Sequence, residues 1–190
     1  MRMSSAESTV RVIDTPNPDA RMFRVDETLI PGGTVEFTDS ELAAKRSPLA
    51  QKLLDLGGVE LVLIAPRFVT VRKSTDAQWS WLSQSISAAL SAFLRSGEMA
   101  VYEDASATDE VVERTAVERR IIEILDEEIR PAIAQDGGDV SYEGFKDGIV
   151  YLRLSGACGT WPSSSATLKH GIERYLCEEI PEVQSVEQAV

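Results

Sequence analysis

The chain has 190 residues, 43% hydrophobic and 26% charged, which is enough apolar content to bury a core in one or two domains. A net charge of −12 disfavours nonspecific binding to nucleic acid or acidic membranes, and no run approaches the roughly 20 apolar residues of a membrane span. Two cysteines, Cys158 and Cys177, are too few for a disulfide framework and fit a reducing compartment.

Taken in chain order, residues 21–25 and 34–38 read as short strands around the turn signal Pro31-Gly32-Gly33. Ser47 and Pro48 open a helix as N-cap and first helical residue, and Gly57-Gly58 stops the chain after Leu56. Two more strands, 59–64 and 68–72, flank Ala65-Pro66-Arg67. Trp79, Leu82, Ile86, Leu90 and Phe93 recur at helical spacing, with Trp79 and Trp81 expected as core anchors. The sum is a small domain of four strands and two helices over residues 1–96. Residues 97–110 are rich in small and acidic side chains without periodicity, so they read as a linker.

A second domain is expected over residues 111–190. It opens with a helix bearing Val117, Ile121, Ile124, Leu125 and Ile129 on one face, limited or kinked by Pro131. Asp136-Gly137-Gly138-Asp139 reads as a turn. Strands 140–146 and 149–154 follow, joined by Asp147-Gly148, a pair that tolerates the positive φ of a two-residue hairpin. A glycine-flanked loop around Cys158 leads into a last helix carrying Leu168, Ile172, Tyr175 and Leu176, ended by Pro181. The fold class is therefore α+β, with two small domains. Charge divides unevenly between the halves: residues 1–108 hold 11 basic and 14 acidic side chains, and residues 109–190 hold 8 and 17.

The loop is the chemical candidate. Cys158 leaves a strand, sits between Gly156 and Gly159, and precedes a helix starting near Pro162. Glycines let the backbone approach whatever the thiol holds, and a helix N-terminus stabilises a thiolate, so a lowered pKa is expected. A half-buried structural cysteine is the bland alternative. Enzyme readings fare poorly: the chain has one histidine, no phosphate-binding loop and no dinucleotide fingerprint.

At this loop the sequence resembles a known family. Residues 128–145, from Glu-Ile-Arg-Pro through Asp-Gly-Gly-Asp to Gly-Phe, and residues 154–186, from Leu-Ser-Gly-Ala-Cys onward, resemble the C-terminal domain of NifU-like (Nfu-type) iron–sulfur scaffold proteins. Thr15-Pro16-Asn17-Pro18-Asp19-Ala20, residues 47–53 and residues 68–73 resemble the N-terminal domain that family often carries. The resemblance implies a carrier that holds a cluster, usually [4Fe–4S], between the Cys-x-x-Cys loops of two copies. It also implies transfer to client apoproteins alongside assembly proteins, with the first domain helping recognition. Each such loop gives two thiolates to irons that want four.

One position departs from that pattern. Trp161 stands where the second family cysteine belongs, and an indole nitrogen only donates. Cys158 is then the one loop ligand, so the readings open are a crippled scaffold, a [2Fe–2S] or weaker cluster completed by external thiols, or no metal at all. A thiol-based redox sensor and a pure interaction module are the alternatives from other classes. Cys177 lies about 22 Å along the last helix from Pro162 and His170 about 12 Å, at about 1.5 Å per residue, and both read as solvated bystanders. Met1 to Ser8 lack the apolar run of a secretory signal and are short for a transit peptide, so a cytoplasmic location is expected.

Overall fold

The computed structural model describes residues 10–102, 114–158 and 162–189, the side chains of 162–166 excepted. They fall into two compact units, one within residues 1–104 and one within 105–190. A five-stranded and a three-stranded sheet, each accompanied by helices, give the α+β class that the alternating patterns indicate.

The first unit runs β1 (Arg11–Asp14), β2 (Ala20–Arg24), β3 (Val35–Phe37), α1 (Ser40–Arg46), α2 (Pro48–Leu54), β4 (Val59–Ile64), β5 (Phe68–Lys73) and α3 (Trp79–Ser96). Its sheet has the order β1-β2-β5-β4-β3 and is antiparallel throughout. Register puts Phe23, Val69 and Ile64 side by side on one face, with Val71 and Val62 beside them. That face joins Leu49 and Leu53 of α2 and Leu82, Ile86, Leu90 and Phe93 of α3 in one buried core. Each such side chain stabilises the fold by roughly 1.5–3 kcal/mol through burial.

Among the described residues of this unit, five strands and three helices stand where four and two were expected. The additions are β1, an edge strand whose Arg11, Val12 and Asp14 are exposed, and α1, which buries only Ala43. Neither carries the apolar repeat that reveals an element in a sequence. Trp79 packs against the core, donates its indole N–H to the Pro18 carbonyl and lies under Arg21, but Trp81 is 48% exposed and anchors nothing in the core.

Ser47 is the N-cap of α2, accepting from the Ala50 N–H, and it also donates to the Ala100 carbonyl. The Tyr102 N–H bonds to the Arg46 carbonyl. Of the segment expected to be a linker, residues 97–102 therefore return to the first unit; 103–110 lie outside the described residues.

The second unit opens with α4 (Ala116–Ile124), a π-helical turn over Leu125–Ile129 and α5 (Arg130–Gln135) in one continuous run. The Arg130 N–H reaches back five residues to the Leu125 carbonyl. The wider turn falls just before Pro131, which has no N–H to give and whose ring crowds the carbonyl four residues back. Strands β6 (Gly138–Lys146) and β7 (Ile149–Gly156) form the hairpin, with Asp147 at φ 54 and Gly148 at φ 82. Helix α6 (Pro162–Glu179) then crosses back to β8 (Ser185–Gln188), which pairs parallel to β7 in the order β6-β7-β8. Only Val186 of β8 is buried, which is why no strand is read there from sequence.

Candidate functional site

Cys158 follows β7 by two residues and lies in the core of the second unit with Ile133, Leu154, Ile172 and Leu176. It is 9% exposed. Its sulfur sits against the start of β6: a Cβ placed on Gly138 would fall 2.6 Å from Sγ, 3.1 Å from the Cys158 Cβ and 3.1 Å from Ile133 Cγ2. Gly138 pairs with Gly156 in the ladder, and the Ala157 N–H donates to the Gly137 carbonyl at 3.2 Å. The Gly137-Gly138 turn, with Gly137 at φ 75, thus lies directly on the thiol.

That turn is tied down from the helix side. Arg130 donates through Nε to Asp139 Oδ1 at 2.9 Å, through Nη2 to the Val140 carbonyl at 3.1 Å and through Nη1 to Asp126 Oδ1 at 2.7 Å. Asp139 is buried, so its charge stays in the interior in an ion pair with Arg130. Asp-Gly-Gly-Asp is legible in the sequence as a turn; that its glycine receives a sulfur and its second aspartate an arginine is not.

The electrostatics reverse the expectation of an activated thiol. Burial, and then the nearby Asp136 carboxylate, push Cys158 up to about 11. Cys158 is therefore a protonated, shielded thiol at neutral pH.

The remaining candidates sit apart from this picture. Cys177 does not face outward as the helix arithmetic suggests: it is half-buried, packs against the same core, and its thiol is pushed up by burial and by Glu173. A residue 100° from Leu176 still reaches the edge of the apolar stripe. The two cysteines form no disulfide. His170 is exposed on α6. Trp161 lies outside the described residues. Among the described residues no group of three or more His, Cys, Asp or Glu is placed to hold a metal ion.

Residues 10–97 match the family described as scaffold protein Nfu/NifU N terminal, and residues 121–187 match the NifU-like domain. The chain is 40% identical over 183 residues to the human NFU1 iron-sulfur cluster scaffold homolog, mitochondrial, covering 95% of this chain and 72% of that protein. The chain belongs to the NifU-like, Nfu-type scaffold family. A second Nfu relative, NifU-like protein 4, mitochondrial, of Arabidopsis thaliana is 39% identical over 188 residues, covering 94% of this chain and 65% of that protein. A third, the Drosophila ananassae NFU1 homolog, is 36% identical over 181 residues and covers 94% and 63%. The chain thus spans about two thirds of the length of these Nfu relatives. Iron–sulfur scaffolding is the broad class of function that Nfu membership gives it.

The expected cytoplasmic location is overturned by the same relatives, which are mitochondrial by name. It rested on the lack of an address in eight residues, and such a lack identifies no compartment. Among the described residues no helix is long and apolar enough to cross a membrane.

Proposed function

We propose that this chain is a carrier, not a catalyst, that takes iron–sulfur cargo on Cys158 at one thiolate per copy and passes it to client apoproteins. The observation that carries the reading is the seat of Cys158: a lone thiol at the strand-to-helix corner of a NifU-like domain, against glycine backbone. Two copies sharing cargo between their loops would offer two thiolates where a cluster wants four, so external thiols must complete it. Trp161, standing at the family's second ligand position, is the reason. Cargo held this way is bound more weakly than by paired Cys-x-x-Cys loops, whether as [2Fe–2S] or [4Fe–4S]. The first domain serves recognition of clients and assembly proteins, and the carrier domain that follows it holds the cargo.

Loading breaks the S–H bond of Cys158, forms an S–Fe bond and sends the proton to solvent. Because the thiol is shielded and held up near 11, the loop must uncover it first. The same value counts against a thiol-based redox sensor, which needs a thiolate at neutral pH.

Anaerobic reconstitution with ferrous iron and sulfide, with and without glutathione, tests the reading. The expected result is visible iron–sulfur absorbance that depends on glutathione, disappears in Cys158→Ser, and becomes independent of glutathione in Trp161→Cys. Iron retained unchanged by Cys158→Ser would overturn it, and no uptake by any of the three proteins would leave an interaction module.

A further inference from the structure

The thiol that must be uncovered lies under a turn, and Arg130 ties that turn to the helix beside it. Gly138 lies on the Cys158 sulfur; the next two residues, Asp139 and Val140, both accept from Arg130. Arg130 stands at the junction of the π-helical turn and α5, where its third bond, to Asp126, fixes the guanidinium across that junction. We infer that Arg130 is a latch on the cargo thiol: its fork to Asp139 and Val140 holds the Gly137-Gly138 turn closed over Cys158, and release of that fork exposes the sulfur for loading or transfer. The inference rests on the reading of Cys158 as the cargo thiol.

Arg130 is thus a positioning residue, acting through the turn. A planar fork satisfies a carboxylate and a carbonyl at once, whereas a lysine ammonium is a point donor on a flexible stem, so charge alone does not reproduce the latch. That difference separates the latch from simple electrostatics. Replacing Arg130 by Lys keeps the charge, so a gain in Cys158 reactivity in that variant comes from the lost fork and not from a lost cation. Replacing it by Gln removes a cation, and losing a nearby cation by itself disfavours a thiolate, so faster reaction in that variant also points to opening.

The test is the rate of iodoacetamide alkylation at Cys158, resolved from Cys177 by peptide mass spectrometry, on the full chain at fixed neutral pH. In Arg130→Lys and in Arg130→Gln, Cys158 is expected to react about tenfold faster or more, the factor by which losing one charge-assisted hydrogen bond shifts an opening equilibrium. The half-buried Cys177 should keep its parent rate, since it reports opening of the whole core. If Arg130→Gln does not fold, Arg130→Lys carries the test alone. A Cys158 rate at or below that of the parent, or equal acceleration at both cysteines, overturns the latch. No iron enters this measurement, so a failed reconstitution and a failed latch are separate results.

Discussion

The sulfur of Cys158 occupies the space a side chain at position 138 would need, with an ideal Gly138 Cβ only 2.6 Å from Sγ. Glycine at 138 and the thiol at 158 are two halves of one packing solution, and either can be changed to expose the other.

Gly138→Ala is expected to destabilise the second unit by about 1–3 kcal/mol, since the methyl must displace the sulfur, the Cys158 Cβ or Ile133. Position 138 has no positive φ, so the effect comes from crowding. Removing the sulfur as well, in Gly138→Ala/Cys158→Ala, should recover part of that loss. Urea unfolding of the two single variants and the double measures the coupling, and strict additivity would show the contact to be unimportant.

Cys158 should resist alkylation at neutral pH and react roughly tenfold faster per pH unit up to about 11. The stability consequence has a definite sign. The folded thiol titrates near 11 and the unfolded one near 9.0, so the folded state keeps a proton that the unfolded state has lost. This contribution is fully present below pH 9 and is lost as pH rises toward 11. Cys158→Ala should remove that part of the alkaline decline in denaturation midpoints. An unchanged decline would assign it elsewhere.

Thr115 and Glu118 form a capping box at the start of α4, and Tyr142 donates to Glu118 at 2.9 Å. Hydrogen bonds from the Thr115 backbone, its hydroxyl and Tyr142 hold the Glu118 carboxyl below its usual value. Thr115→Ala should lower stability by about 1 kcal/mol at pH 7. With a depressed folded pKa, the stabilisation is present above 4.5 and fades as pH falls through the folded value. The gap between parent and variant should therefore narrow in acid, and a gap constant from pH 7 to 3 would contradict the assignment.

Ser47 is fully buried and serves two elements, capping α2 and holding the Ala100 carbonyl. Ser47→Ala should destabilise the first unit by about 2 kcal/mol, more than an ordinary cap, because a carbonyl also loses its partner. Amide exchange should quicken near Ala50 and Tyr102 together. Exchange confined to Ala50 would show that Ala100 finds another donor.

What the sequence makes legible follows the strength of local signals. Ser47-Pro48 marks the start of α2, Asp147-Gly148 marks the hairpin, and the Leu82-Ile86-Leu90-Phe93 stripe marks α3; each is written in neighbouring residues. The elements β1, α1 and β8 escape because they bury few or no side chains and owe their existence to a partner strand or the edge of a core. The loop thiol is legible as a candidate, but its state is not. A helix N-terminus is visible in the sequence, whereas the sulfur's burial under Gly138 and its proximity to Asp136 come from residues about twenty positions away. Arg130 escapes for the same reason.

The parallel strand β8 closes one side of β7 for its first four residues, and its backbone is held in turn by Glu173 from α6. A chain shortened before Ser185 would leave that flank as a bare row of amide and carbonyl groups, apolar on one face at Val150 and Leu152. Such a remnant would keep its cysteine and its turn, yet its readiest companion would be another remnant stacked alongside. Strand β8 thus keeps covered an edge of β7 that would otherwise be open to pairing with another chain.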